Sequence, residues 1–255
     1  MTETAQRPLA EMAEEARRLI DGARERGVIL RLLGGLAARF HCAALLFCLR
    51  DYSDIDVMGL SRQRAGIEAA FVALGYTAHA MFNALHGATR LEFIDAANDR
   101  HVDVFLDRFE MDHTLDLRQR LEIEPYTISL GDLLITKLSI IRLNEKDVRD
   151  LLTLFKDLPV GEEDRAGAPV AGALNLRYIA QVCARDWGLH HTIMRNISNM
   201  AQYIDSYPLT TEEKREILAR LRRLQQLLDA APKSWRWKLR ALLGERVRWY
   251  QSPEA

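Results

Sequence analysis

With 255 residues, 48% of them apolar and 28% charged, the chain has an ordinary globular composition, enough for one large domain or two smaller ones. No apolar run approaches the roughly 18–20 residues of a membrane span. The acidic, helical opening MTETAQRPLAEMAEEARRLIDG lacks the basic start and apolar centre of a signal peptide, so a cytoplasmic protein with no membrane partner is expected. The net charge of −1 hides an asymmetry: residues 171–255 hold 14 Lys/Arg against 8 Asp/Glu, and the preceding part holds 21 against 28. An acidic first part suits cation binding. A basic second part suits a polyanion, or simply solvated helix surfaces.

In chain order, residues 8–26 carry an amphipathic helical stripe of Met12, Ala16, Leu19, Ile20 and Ala23. Val28–Leu33 is a short apolar run that stops at Gly34-Gly35, and LAARFHC continues with helical character. The next stretch ends as a strand over SDIDVMG. SRQRAGIEAAFVALG reads as a helix that Ser61 caps and Gly75 stops. Residues 82–90 are polar and read as a connecting loop or hairpin, with Asn83, His86 and Arg90 as candidate pocket residues. TRLEFIDAANDRHVDVFLD reads as two strands about a polar turn.

From Ser129 the pattern is helical: residues 130–143, then 145–158, then segments near 174–186, 190–204, 210–230 and 233–243. Between them PVGEEDRAGAPVAGA, rich in Gly, Pro and charge, is the best linker. The layout is α+β: a small mixed β-sheet core flanked by helices over residues 1–157, followed by a C-terminal helical region over 174–255. Three cysteines without a CxxC argue against a disulfide framework. His41, Cys42 and Cys48 fit no zinc spacing and read as buried, satisfied side chains.

The chemistry concentrates in Asp54-Ile55-Asp56. On a strand the two carboxylates share one face, roughly 6–7 Å apart, while Ile55 and Val57 point into the core. Such a pair repels unless a cation lies between, and a hard divalent cation with oxygen ligands fits. In HVDVFLD, Asp103 lies opposite Val102 and Val104. If that strand pairs beside the first, Asp103 completes a triad able to hold two Mg²⁺ ions. A lone DxD is common on polar strand edges, and Gly34-Gly35 alone is no more than a tight turn that lets backbone approach a phosphate. Lys137 falls on the apolar stripe of Leu130, Leu133, Leu134, Leu138 and Ile141, where a lysine needs an anion or a route to water.

Gly-Gly, Asp-x-Asp and a later-strand Asp follow the order of the polymerase-beta-like nucleotidyltransferase superfamily, which this chain resembles over about residues 28–156. DLLITKLSIIRLNEKDVRDLLTL is similar to the Lys…LysAsp-x-x-Asp segment of its AbiEii-like branch, which includes toxins of toxin–antitoxin and abortive-infection systems. Eighteen residues separate Gly35 from Asp54, more than is usual in the superfamily.

The resemblance implies transfer of a nucleoside monophosphate from an NTP such as ATP, with release of pyrophosphate. It implies Mg²⁺ on Asp54, Asp56 and Asp103, nucleotide contacts from Gly34, Gly35, Lys137 and Lys146, and a positioning or base role for Asp147. Its toxin relatives suggest tRNA or another RNA as acceptor and an antitoxin as partner. Other relatives suggest a small molecule such as an aminoglycoside. A non-catalytic nucleotide-binding module is a third reading. PKSWRWKLRALLGERVRWY interleaves basic and aromatic residues and either binds nucleic acid or docks on its own domain.

Overall fold

The computed structural model describes residues 7–43, 47, 52–161 and 172–251. Five strands form the main sheet: β1 (Arg31–Leu32), β2 (Asp54–Gly59), β3 (Thr77–Ala78), β4 (Arg90–Asp95) and β5 (Arg100–Leu106), in the order β1-β2-β5-β4-β3. β2 and β5 run parallel, and the other pairs are antiparallel. The expected pairing of the two Asp-bearing strands is therefore met.

Alternation gives the sheet its two faces. Ile55, Val57, Leu91, Phe93, Val102 and Val104 are all fully buried. Helix α1 (Met12–Glu25) supplies Leu19 and Ile20 to the same core. Helix α3 (Arg64–Ala73) covers the apolar sheet face, with Phe71 stacked 3.9 Å from Phe93. Between them in sequence, α2 (Gly34–Phe40) leads directly out of β1.

The helix expected to start at Ser61 begins as a 3-10 turn, Ser61–Gln63. Ser61 does not cap it. Instead, the Ser61 N–H and hydroxyl both donate to Asp107, a non-glycine residue held at φ 64°. Gly75, at φ 93°, does terminate the helix. The segment 82–90, expected as a loop, is largely helix α4 (Ala80–His86). Asn83 locks that helix to β4: its amide donates to Glu92 O and accepts from Glu92 N, so it is an architectural residue and not a pocket residue.

After the small hairpin β6 (Arg108–Glu110) and β7 (Thr114–Asp116) comes α5 (Leu130–Leu138), buried along its whole length. The stripe expected to reach Ile141 therefore stops a turn earlier. α6 (Glu145–Asp157) opens with an Asn144–Asp147 capping box. Most of the expected linker, residues 162–171, lies outside the described residues. On either side of it, β8 (Val160–Gly161) pairs with β9 (Leu174–Asn175). The four C-terminal helices are α7 (Leu176–Cys183), α8 (Trp187–Tyr203), α9 (Thr211–Ala230) and α10 (Trp235–Leu243). One continuous apolar cluster joins the sheet to α7, α8 and α9, from Ala16 to Leu228.

The cysteine expectation needs one correction. Cys42 is disulfide-bonded, while Cys183 is a free, buried thiol; Cys48 lies outside the described residues. His41 is buried as expected, with Nε2 3.0 Å from Thr127 Oγ1.

Candidate active site

The polar face of the sheet gathers the acidic residues. Across the strands Asp56 is level with Asp103, and Asp103 with Glu92. One step along, Asp54 is level with His101. In-register neighbours share a face, so three strands present a row of carboxylates: Asp56, Asp103 and Glu92. Two of these were expected from sequence. Glu92 was not, because a single acid on an alternating strand carries no motif.

Gly34 abuts this row. It sits at φ 70°, and a Cβ there would stand 2.5 Å from Asp56 Oδ2. Leu33 N–H donates to Asp56 O at 3.0 Å. Leu33, the residue before the helix, supplies no side-chain cap. The Gly-Gly turn therefore brings backbone directly against the first carboxylate strand. A cavity of about 150 Å³ opens there, lined by Leu33, Gly34, Asp56, Phe105, Thr136 and Lys137, among others.

Each charge in the row has defined company. Burial, then repulsion from Asp103, pushes the Asp56 carboxyl up to about 6, and Lys137 and Arg90 pull against this. Asp54 is exposed, with Oδ2 accepting from Ser53 Oγ at 2.7 Å. Arg90 grips Asp103 with a fork: Nε to Oδ1 at 3.0 Å and a terminal nitrogen to Oδ2 at 2.7 Å. The same guanidinium lies over the rings of Phe82 and Phe105. Glu92 accepts from His101 Nδ1 at 2.6 Å and is 2.7 Å from His79 Nδ1. Burial works to raise the Glu92 carboxyl, but the two imidazoles outweigh it and hold it below the ordinary range. The His86 ring packs tilted against Phe82 at this edge, 4.7 Å between centroids.

On the opposite wall, Lys137 is 7% exposed. Its ammonium is 2.9 Å from Asp150 and 3.3 Å from Asp147. It lines the cavity with Asp56, and so it is brought to the site, but as a cation already paired. Asp147 serves the α6 capping box as well as Lys137. Lys146 is exposed on α6, and the structure does not draw it into this group.

The donors suit a hard cation: Asp54 and Asp56 are carboxylates on one face, with Asp103 level with Asp56 on the neighbouring strand. Asp103 fits such a set only when Arg90 shares it. Among the described residues, no group of three His, Cys, Asp or Glu side chains converges tightly enough to hold a metal as it stands. No helix of the described residues is long and apolar enough to cross a membrane.

No family model matches the chain, and no curated protein matches it. Two solved structures are similar over most of its length, both of the antibiotic-resistance factor ANT(2'')-Ia. One is a solution structure, 15% identical, with a TM-score of 0.34 over 92% of this chain and 96% of that one. The other is a crystal structure in complex with adenylyl-2''-tobramycin, 15% identical, with a TM-score of 0.34 over 90% and 98%.

Proposed function

We propose that the protein is a Mg²⁺-dependent nucleotidyltransferase that moves a nucleoside monophosphate from an NTP to a small, cationic, hydroxylated acceptor. The observation that carries this is the alignment of Asp56 with Asp103 on an open sheet face, with Gly34 pressed against Asp56.

Asp54 and Asp56 would hold Mg²⁺, and Asp103 would join them on release from part of the Arg90 fork. The metal, when bound, would supply charge neutralisation for the triphosphate and the leaving pyrophosphate. The Gly34-Gly35 backbone would receive the phosphates, with Gly34 held at a φ that favours glycine and close against Asp56. The small cavity accommodates the phosphate end alone, and the nucleoside would lie over the open face. The acceptor oxygen forms a bond to the α-phosphorus, the bond to pyrophosphate breaks, and the acceptor proton passes to Asp103. Arg90 orients Asp103 for this.

The acceptor class follows from the lining. Asp56, Asp103 and Glu92 lie level across the sheet face, with Asp54 two residues along, and the nearby cations Arg90 and Lys137 are already paired. Such a wall favours a cationic molecule and opposes a phosphate backbone. An RNA acceptor is the second reading, and the excess of Lys/Arg in residues 171–255 favours it. Against it, two of the three tryptophans in residues 232–250 are docked on the fold, and Trp235 alone is exposed. Trp237 Nε1 donates to Cys183 O, and Trp249 Nε1 donates to Thr192 Oγ1.

The test is a transfer assay with each α-labelled NTP and Mg²⁺, offering a panel of aminoglycosides, or total RNA. Label on an aminoglycoside that is lost in Asp54→Ala/Asp56→Ala supports the proposal. Label on RNA replaces the acceptor class. Transfer that survives the double substitution removes the mechanism, and NTP binding without any transfer leaves a nucleotide-binding module.

A further inference from the structure

Helix α10 is turned the wrong way for an ordinary surface helix. None of its residues is buried. At about 100° per residue, Trp235, Leu239, Leu242 and Leu243 fall within one arc of about 100°. Their exposures are 66, 55, 78 and 48%. Val247, just beyond, is 49% exposed. The docking contacts come from the opposite side: Trp237 donates to Cys183 O and packs edge-on against His190, 5.2 Å between centroids. The helix is thus anchored by one face and presents its apolar stripe to solvent.

The stripe is flanked by positive charge. Arg236 borders it on one side and Lys238 on the other, both exposed, with exposed Arg246 and Arg248 just past the helix. The only acid in residues 232–250 is Glu245, which already faces His191 at 2.9 Å.

We propose that this face lies on an anionic lipid surface, with the apolar stripe at the headgroup–acyl boundary and the basic flanks against the headgroup phosphates. Three features favour that occupant. The exposed side chains beside Trp235 are aliphatic, and aliphatic groups do not stack on bases as a single-stranded RNA platform requires. A two-fold contact with a second copy would set the Arg236 and Lys238 rims against their own likeness. A bilayer offers anionic charge and an apolar interior side by side. The inference is independent of the nucleotidyl-transfer reading.

The test is co-sedimentation of the full chain with vesicles of equal parts phosphatidylcholine and phosphatidylglycerol, beside pure phosphatidylcholine. Binding is expected only to the anionic vesicles, weakening as salt rises. Tryptophan emission should shift to the blue, and the shift should vanish in Trp235→Phe. Leu239→Gln/Leu242→Gln should abolish binding. Arg236→Gln/Lys238→Gln should weaken it about thirtyfold, from roughly 1 kcal/mol per charge. All five side chains are exposed, so the melting temperature of each variant should be that of the parent. No binding to anionic vesicles, or binding unchanged in the leucine variant, overturns the proposal. So does self-association, or capture of RNA, that the leucine variant abolishes while vesicles are ignored.

Discussion

Gly34 and Asp56 are packed so closely that one methyl group cannot be added between them: a Cβ on Gly34 would stand 2.5 Å from Asp56 Oδ2. The φ of 70° at Gly34 adds a second barrier to any other residue. Gly27 separates the two costs, because it has φ 71° and nothing within 4 Å of its Cβ position. Gly27→Ala should lose only the left-handed backbone penalty, about 1–2 kcal/mol. Gly34→Ala should lose more in thermal melts, and it alone should abolish nucleotide transfer. Equal losses in stability with transfer intact in both would show that Gly34 has no place in the site.

Asp56 makes stability depend on pH with a definite sign. Its carboxyl is raised to about 6 from an ordinary 3.8 by burial and by Asp103. The folded chain therefore binds this proton more tightly than the unfolded chain. The contribution is fully present below about 3.8 and is lost as pH rises through about 6. Without metal, Asp56→Asn should melt at the same temperature as the parent near pH 4 and above it near pH 7.5. Added Mg²⁺ should raise the parent's melting temperature at pH 7.5 and leave the variant unmoved. A difference that is the same at both pH values would assign the variant's effect to packing.

The carboxylate geometry was legible in the sequence because strand alternation has a period of two, so the faces of Asp54, Asp56 and Asp103 follow once the strands are recognised. Their neighbours were not legible. Glu92 enters the row only through the β4–β5 register, which the pattern of either strand leaves open. The loop expected at 82–90 became a helix because Asn83 supplies β4 with a substitute backbone partner, a tertiary effect. Ser61 looked like a cap, but Asp107, 46 residues away, claimed its hydroxyl. Lys137 stood out from its stripe, yet only the fold brings Asp150 to it.

Lys137 should prove structural and functional at once, and the two roles separate. It is 7% exposed and paired with Asp150, itself 5% exposed. Removing Lys137 takes its ammonium from the buried Asp150 carboxylate, a loss of up to about 3–5 kcal/mol. Lys137→Met should therefore melt far below the parent. Lys137→Met/Asp150→Asn should recover much of that stability, because the buried charge at Asp150 that lost its ammonium is gone as well. If Lys137 also serves the triphosphate, the double variant should stay inactive and bind NTP weakly by calorimetry. A stable double variant with parental NTP affinity would make Lys137 a purely structural cation.

Glu92 offers the sharpest test of which side of the row meets the acceptor. It lies one strand beyond Asp103, away from the Gly34 wall, and holds His79 and His101. Glu92→Gln keeps the shape and removes the charge. The NTP KM should be unchanged, while the KM for a cationic acceptor should rise about tenfold, the loss of one exposed charge contact of about 1 kcal/mol or slightly more. The His101 imidazole, raised chiefly by its hydrogen bond to Glu92, should titrate lower in the variant by NMR. That titration confirms that the contact existed, whatever the kinetics show. A rise in NTP KM with the acceptor KM unmoved would place the nucleotide, and not the acceptor, on the β4 side of Asp103.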